Sequence, residues 1–281
     1  MTQFLASFES LSSPHGTFIK PGGRVAAYVR STGLQEGDDL FAMSGNLVAT
    51  INAGLNRCRT GMQDIVVVLP GHTETHSTSG AIWSNLKAGV QIVSACSPFA
   101  SNAPTVTLSH TGASVALSSA NVSLVGLKIA SATAAVTGAV AVTAAGVALE
   151  KCYISLTGAL GANPGIAVTG AANFAMLDCF VVCNSTSPVV AITGAGSTDL
   201  LIARNFIRQA QATSGGDCIN VANTAGISGF ITDNRMKSAV AGTPGTSIGL
   251  VIGTGASPTV FNGENYDLDD AVTAAVVSTG G

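Results

Sequence analysis

A ten-residue phrase recurs five times between residues 122 and 238, and its spacing limits the folds that this chain can adopt. The copies read VSLVGLKIAS, VALEKCYISL, FAMLDCFVVC, LLIARNFIRQ and GFITDNRMKS. They begin at residues 122, 147, 174, 200 and 229, so their starts are 25, 27, 26 and 29 residues apart. Strand-containing repeats of this length are typical of solenoids, in which one coil buries its apolar face only against the next coil.

Apolar residues or Asn occupy the first, third, sixth and eighth positions of almost every copy. The step of three between the third and sixth positions breaks the alternation of a straight strand, which predicts a bend joining two short strands. Neighbouring parallel strands lie roughly 4.8 Å apart, so the sixth residues should stack coil upon coil. Side-chain amides stacked in this way can hydrogen-bond along the column. We call this column the interior ladder; it contains Leu127, Cys152, Cys179, Asn205 and Asn234.

A second apolar phrase falls between the copies. It reads AVAVTA (139–144), GIAVTG (165–170), VVAITG (189–194), CINVAN (218–223) and IGLVIG (248–253). Its aligned residues are Val142, Val168, Ile192, Val221 and Leu250. Two strands from the first phrase and one from the second make three strands per coil. The sequence therefore predicts an all-β fold, a right-handed parallel β-helix.

Composition agrees with this fold and bears on the partners. Hydrophobic residues make up 47% of the chain and charged residues 10%, whereas a charged share near 25% is usual. Parallel sheets with apolar residues inside and small residues outside account for both values. Since no run of about 18 apolar residues exists, we expect no membrane partner. The net charge of -3 without a basic cluster leads us to expect no nucleic-acid partner.

The two ends of the chain lack the repeat. Residues 1–24 show no sustained period and are predicted to form an N-terminal arm, without a signal peptide. Residues 25–63 are predicted to hold a strand, a loop and an α-helix over 46–60, with Asn46 as its N-cap. This helix would cap the open apolar end of the solenoid. The β-helix is then expected over residues 64–260, and residues 261–281 form a C-terminal cap or a tail.

The order of segments near the N-terminus resembles that of a known family. YVRSTG, an acidic loop, LVATINAGLNRC and IVVVLPGHTETH precede the coils, and the turn from Val68 to Glu74 is the most recognisable piece. This order resembles bacteriophage right-handed β-helix virion proteins, most of all head decoration (cement) proteins. The resemblance implies a homotrimer that is made in the host cytoplasm and binds the major capsid protein on the virion surface. Tail spikes, which bind or cleave host polysaccharide, resemble the chain as well and give the alternative function.

Charged residues stack at the fifth position of the phrase, in a column that we call the charged column: Gly126, Lys151, Asp178, Arg204 and Asp233. Asp178 and Asp233 lie two coils apart, roughly 9.6 Å by the strand spacing, which is near the separation of an inverting glycosidase pair. Because Arg204 stands between them, surface ion pairing is the favoured interpretation. We therefore predict no catalytic residues and no enzyme activity.

Two further groups of residues could bind a metal or form a disulfide. His72, Glu74 and His76 alternate as metal ligands on a strand would, but their place after a Pro-Gly turn favours a solvated loop, and no further ligand is close in sequence. We expect no metal and no cofactor. The six cysteines show no CxxC spacing and are interpreted as free, buried thiols. A disulfide between Cys152 and Cys179 is the alternative.

The seventh position of the phrase should face outward, because its neighbours on both sides face inward. Three consecutive copies place Tyr153, Phe180 and Phe206 there, and we call these residues the aromatic strip. Exposed apolar strips mark contacts. Subunit packing in a homo-oligomer is our prediction; a sugar-stacking platform, and cover by the N-terminal arm or a loop, are the alternatives. Together with the resemblance, this pattern predicts a trimeric protein that stabilises an assembled phage head by binding it. An adhesin or S-layer-like module is a third hypothesis.

Overall fold

The computed structural model describes residues 24–31, 45–131, 139–157, 163–210, 217–222, 226–238, 249–253, 259–267 and 276–278. These residues form a β-solenoid built from three parallel sheets, A, B and C. A full coil contributes one strand to each sheet in turn. The predicted all-β parallel solenoid is therefore confirmed.

Sheet A has ten strands and contains the first half of each ten-residue phrase. In spatial order its strands are β2 (Leu47–Val48), β1 (Val25–Val29), β3 (Ile65–Val68), β6 (Gln91–Ser94), β9 (Ser123–Val125), β12 (Ala148–Glu150), β15 (Ala175–Leu177), β18 (Leu200–Ala203), β21 (Ser228–Thr232) and β24 (Thr259–Asn262).

Sheet B has eight strands and contains the second half of the phrase. Its strands are β25 (Tyr266–Asp267), β22 (Arg235–Ser238), β19 (Phe206–Gln209), β16 (Phe180–Cys183), β13 (Tyr153–Leu156), β10 (Lys128–Ser131), β7 (Thr105–Leu108) and β4 (Thr73–His76).

Sheet C also has eight strands and contains the second apolar phrase. Its strands are β26 (Val276–Ser278), β23 (Leu250–Ile252), β20 (Ile219–Val221), β17 (Val190–Thr193), β14 (Ile166–Thr169), β11 (Val140–Val142), β8 (Ala113–Leu117) and β5 (Gly80–Ile82).

The predicted bend is a single residue with left-handed backbone. All five members of the charged column have positive φ, from 52° at Lys151 to 68° at Gly126. One left-handed residue turns the chain from sheet A into sheet B, which explains the step of three in the apolar pattern. An L-residue in this conformation costs roughly 1–2 kcal/mol, less for Asp or Asn. The backbone of this tight corner is therefore strained at Lys151 and Arg204.

The core is a continuous apolar column inside the three sheets. The first, third, sixth and eighth residues of the second copy, Val147, Leu149, Cys152 and Ile154, are all buried within it. One predicted alignment was wrong, because Leu250 pairs with Ile219 while Val221 pairs with Ile252. A shift of two residues keeps the same face inward, so apolar alternation could not distinguish the two registers.

A short helix, α1 (Ile51–Asn56), lies within the predicted 46–60 range. Its N-cap is Thr50, whose side chain accepts a hydrogen bond from the backbone N–H of Ala53, so the assignment of Asn46 was wrong. The reason is that Leu47 and Val48 pair with β1 as a strand. Gly54 brings the helix so close to β3 that an added Cβ would lie 2.9 Å from a methyl of Val66. The capping role of this helix stays a prediction.

At the C-terminal end, β24, β25 and β26 add one further strand to each sheet. The apolar phrases thus have structural counterparts after residue 253, where the sequence pattern fades. The predicted N-terminal arm lies outside the described residues except for Arg24, and so does most of the predicted C-terminal segment. Among the described residues, no helix has both the length and the apolar character needed to cross a membrane.

Candidate interaction surface

The aromatic strip lies on the outer face of sheet B, where Tyr153, Phe180 and Phe206 are in register on three adjacent strands. All three side chains are half-buried. The Phe180 and Phe206 rings stack with centroids 4.6 Å apart and planes at 10°. The Tyr153 ring meets Phe180 edge-on, with centroids 5.3 Å apart. The structure thus brings the three predicted residues into one continuous row of rings.

A fourth ring, Phe99, joins this row and was not predicted. It stacks on Tyr153 with centroids 5.3 Å apart and meets Phe180 edge-on at 5.8 Å, while 64% of its surface stays exposed. Phe99 belongs to the ten-residue segment between β6 and β7, whereas two residues join the corresponding strands in each of the next five coils. A loop therefore covers one end of the strip in part, as one of the alternatives proposed. The sequence signal that could have identified Phe99 is an aromatic residue within this long segment of otherwise small and polar residues.

Ion pairing in the charged column is present between neighbouring coils. The guanidinium of Arg204 donates two hydrogen bonds to the carboxylate of Asp178, at 2.8 and 2.9 Å. The hydrogen bonds that Arg204 donates to the Asp178 carboxylate raise the pKa of Arg204. Lys151 instead approaches Glu150, with Nζ 3.6 Å from the carboxylate. Asp178 is therefore engaged by a cation, as the ion-pair interpretation expected.

The five residues of the interior ladder are buried in one column. Oδ1 of Asn205 accepts the backbone N–H of Cys179 at 2.9 Å, and Nδ2 of Asn205 donates to the carbonyl of Met176 at 2.9 Å. Asn265 extends the column by one coil, because its Oδ1 accepts from Nδ2 of Asn234 at 3.0 Å. The sequence pattern had missed Asn265, which lies beyond the last recognised copy. The amides of Asn205 and Asn234 thus each bond the preceding coil as well as the next one.

The cysteines are free thiols, so the disulfide between Cys152 and Cys179 is not formed. Burial raises the pKa of the Cys179 thiol well above its ordinary value. Burial likewise raises the pKa of Cys58 to about 11 and that of Cys183 to about 12. These thiols are protonated at neutral pH and fill space in the core.

His72, Glu74 and His76 lie at and within strand β4, so the solvated-loop interpretation was wrong. The His72 side chain is fully buried and the Glu74 side chain is 10% exposed. Their alternation on the strand brings both imidazoles to one carboxylate, with Nε2–Oε distances of 3.2 Å for His72 and 3.0 Å for His76. Oε2 of Glu74 also accepts the backbone N–H of Ile51 at 2.9 Å. The cluster thus joins β4 to the first residue of α1.

A metal-binding cluster was a further possibility for the histidines. Within the part of the chain that the structure describes, no group of three or more His, Cys, Asp or Glu residues is arranged to hold a metal ion. The carboxylate of Glu74 instead contacts both imidazoles directly.

Fold and surface together define a parallel β-solenoid with a half-buried aromatic row on one sheet and an exposed ring, Phe99, at the end of that row. Comparisons with models of protein families, with curated proteins and with solved structures found no significant match. The function of the chain is therefore inferred from its own residues.

Proposed function

We propose that this chain is a structural protein of a bacteriophage head, a decoration protein that binds the major capsid protein as a homotrimer. The observation that carries the proposal is the aromatic strip with Phe99 beside it. The protein would lie on the outer surface of the virion. Because the protein would bind the assembled shell more tightly than the separate capsid subunits, it would stabilise the shell by mass action.

The strip has the properties of a protein interface. Aromatic residues are enriched in the buried centres of such interfaces, and a contiguous exposed apolar patch marks a contact site. The chain contains ten Phe, three Tyr and one Trp, so four rings in one row are a large share of its aromatic residues. Phe99, 64% exposed, would lose most of its remaining contact with water when a second subunit packs on sheet B.

The outer face of sheet C supports close packing between solenoids. Ala141, Ala167 and Ala191 stack in register on three adjacent strands and present methyl groups outward. Such a smooth face lets another backbone approach closely. Two faces of one coil thus suit contacts with neighbouring subunits.

Polysaccharide binding, the alternative, has less support from the same residues. Sugar stacking needs ring faces that are open to solvent, but Phe180 and Phe206 turn their faces toward each other. The carboxylate of Asp178, which a paired-acid mechanism would require, is bound by Arg204.

The test combines native mass with capsid binding. Purified chain should have the mass of a trimer, rebind capsids that lack it and raise their melting temperature. A monomeric mass together with no effect on capsids would contradict the proposal. Release of reducing sugar from host polysaccharide would support the alternative instead.

A further inference from the structure

The outer face of sheet A is apolar and buried, whereas the outward side chains of the aromatic strip on sheet B are only half-buried. In strand β3, Val66 and Val68 belong to the core, so Ile65 and Val67 lie on the opposite side of the sheet. Leu177 on β15 lies on that outer side as well, in register with the strands between them. A second apolar cluster, separate from the core, covers this side; it contains Ile65, Val67, Leu69, Val93 and Val125. Each of these residues, and Leu177, is at most 7% exposed.

One polar residue of this outer face, Gln91, is buried with them. Gln91 is in register with Ile65 and Ser123. It is 1% exposed, and among the described residues neither the oxygen nor the nitrogen of its amide has a hydrogen-bond partner. A buried amide is costly unless it is hydrogen-bonded. The cover of this face is therefore expected to offer polar groups as well as apolar ones, as a polypeptide does.

The described helix and strands do not provide this cover. The outer face is buried within a single chain, so its cover belongs to the same chain. Helix α1 packs on the inner side, where Ile51 and Leu55 join the core. The part of the chain that the structure describes has no second helix, and none of its strands crosses this face. The segment that carries Phe99 lies beside Val125, where sheet A turns into sheet B, whereas Gln91 is at the opposite end of its strand.

The segments outside the described residues differ in the sheets that they adjoin. Five of them join sheet B to sheet C: 132–138, 158–162, 211–216, 239–248 and 268–275. Three lie at the last coils: 223–225, 254–258 and 279–281. The two that adjoin the first strands of sheet A are residues 1–23, which precede β1, and residues 32–44, which connect β1 to β2.

Length distinguishes these two segments. Strand β15 lies five strands from β1 in sheet A, about 24 Å. Residues 32–44 are held at both ends, by β1 and β2, so this segment could reach out only about 22 Å even when fully extended. Residues 1–23 are joined to the described solenoid at β1 alone, and they would span about 76 Å as an extended chain or about 35 Å as an α-helix. Of the two segments, only residues 1–23 are long enough to cover Leu177.

We propose that residues 1–23, within the N-terminal arm, dock on the outer face of sheet A of their own chain, from β3 to β15. The composition of this segment fits that face, because Glu9 and Lys20 are its only Asp, Glu, Lys or Arg residues. Its large apolar residues include Phe4, Leu5, Phe8, Leu11, Phe18 and Ile19. Its backbone N–H and C=O groups provide partners for the amide of Gln91. On β21, Phe230 is 54% exposed, which places the end of the covered face before that strand.

The docked segment would occupy sheet A and leave the outer faces of sheets B and C for contacts with other molecules. This inference rests on the buried face alone and does not depend on a role in a phage head.

The test places a photoreactive benzophenone side chain at position 8 of the full chain, in place of Phe8. Irradiation followed by mass spectrometry should identify cross-links to peptides that contain β3, β6, β9, β12 or β15. A mixture of light- and heavy-nitrogen-labelled chains shows whether each cross-link lies within one chain or joins two. The matched control carries the same group in place of Tyr266, which is 51% exposed on sheet B, and should give no cross-links to those strands. Absence of cross-links from position 8 to sheet A, or cross-links to sheet A only between different chains, would overturn the proposal.

A thiol placed on the covered face gives a second measurement. In a Cys96→Ser background, Val93→Cys should react with an aromatic disulfide reagent as slowly as the buried cysteines. Adding Phe4→Ser, Phe8→Ser and Phe18→Ser should accelerate the reaction of that thiol by at least about tenfold, because the cover then opens more often. Cys183, inside the core, should stay slow in the same chain. An unchanged reaction rate for the Val93→Cys thiol would also contradict the docking of residues 1–23.

Discussion

The side-chain amide of Asn205 donates a 2.9 Å hydrogen bond to Oδ1 of Asn234, one coil further along the solenoid. The same oxygen accepts the backbone N–H of Asn205 at 3.0 Å, and Nδ2 of Asn234 donates to the carbonyl of Ile202 at 2.9 Å. Buried amides are costly unless they are satisfied. Here the bonds also fix the register between coils, which apolar packing alone leaves open to shifts of two residues.

Removing one amide from the ladder should destabilise the solenoid strongly. In Asn234→Ala, the backbone N–H and Nδ2 of Asn205 lose their shared acceptor, and the carbonyl of Ile202 loses a donor. Each buried group left unpaired costs about 1–3 kcal/mol, so we expect the free energy of unfolding to fall by at least about 3 kcal/mol. Urea denaturation monitored by circular dichroism measures it. Asn102→Ala, at an exposed site, is the control; equal losses for the two variants would refute the ladder's role.

The left-handed corner gives a second prediction. Lys151 has a φ of 52°, a conformation that Asn tolerates well and a β-branched residue does not. Both Lys151→Asn and Lys151→Val remove the weak contact with Glu150. The difference in stability between the two variants therefore reports the cost of the left-handed backbone conformation. We expect Lys151→Val to be less stable than Lys151→Asn by about 1–2 kcal/mol in thermal or urea unfolding. Equal stabilities would mean that the corner relaxes to another conformation.

The period and the inward face could be read from the sequence because both follow from side-chain polarity alone. The alternation of Val147, Leu149, Cys152 and Ile154 specifies burial, and its single step of three specifies the corner. The position of Phe180 could then be assigned to the outer face, because the positions on both sides of it face inward. These features repeat in every copy, so an exception to the pattern in one copy does not change the prediction.

Features that occur once could not be read in this way. Phe99 reaches the aromatic row through a loop whose path no repeat constrains. Leu47 and Val48 carry the same apolar signal in a strand as in a helix, so their pairing with β1 was mistaken for the start of the helix. The polar sequence of His72 to His76 suggested exposure, because the sequence cannot show that two imidazoles and a backbone N–H converge on one carboxylate.

The proposed subunit interface predicts a specific change in mass. Phe180 lies at the centre of the aromatic strip, so Phe180→Asp would place a charge inside the contact and disfavour association. We expect native mass spectrometry to show trimers for the wild-type chain and monomers for the variant. Met62→Asp is the control, since Met62 is 55% exposed and lies outside sheet B. A trimeric mass for Phe180→Asp would remove the strip from the interface.

The thiols should differ sharply in reactivity. Cys96 is partly exposed, whereas the other five cysteines are buried. Burial also raises the pKa of Cys58 to about 11 and of Cys183 to about 12, so their reactive thiolate form is scarce at neutral pH. We expect one fast-reacting thiol per chain with an aromatic disulfide reagent. Cys96→Ser should abolish the fast phase; a fast phase that persists would show that the coils open readily.

Lowering the pH should weaken the contact between β4 and α1, because this contact is made by the ionised carboxylate of Glu74. Burial acts to raise the pKa of this carboxyl, but hydrogen bonds from His72, His76 and the backbone N–H of Ile51 outweigh it and lower the pKa from 4.5 to about 2. Because the folded-state pKa lies below the unfolded one, the stabilisation is present above pH 4.5 and is lost as the pH falls toward 2. The difference corresponds to about 3 kcal/mol at most.

Glu74→Gln should therefore reduce the dependence of unfolding free energy on pH between 5 and 2, since the amide does not titrate. Asp199→Asn, which neutralises an exposed carboxylate, should leave that dependence close to the wild-type curve. Urea denaturation at half-unit pH intervals gives the three curves. If Glu74→Gln and Asp199→Asn gave the same curve, the two imidazoles and the helix N–H would not be holding the carboxylate ionised, and α1 would be anchored by its apolar contacts with β1 and β3 alone.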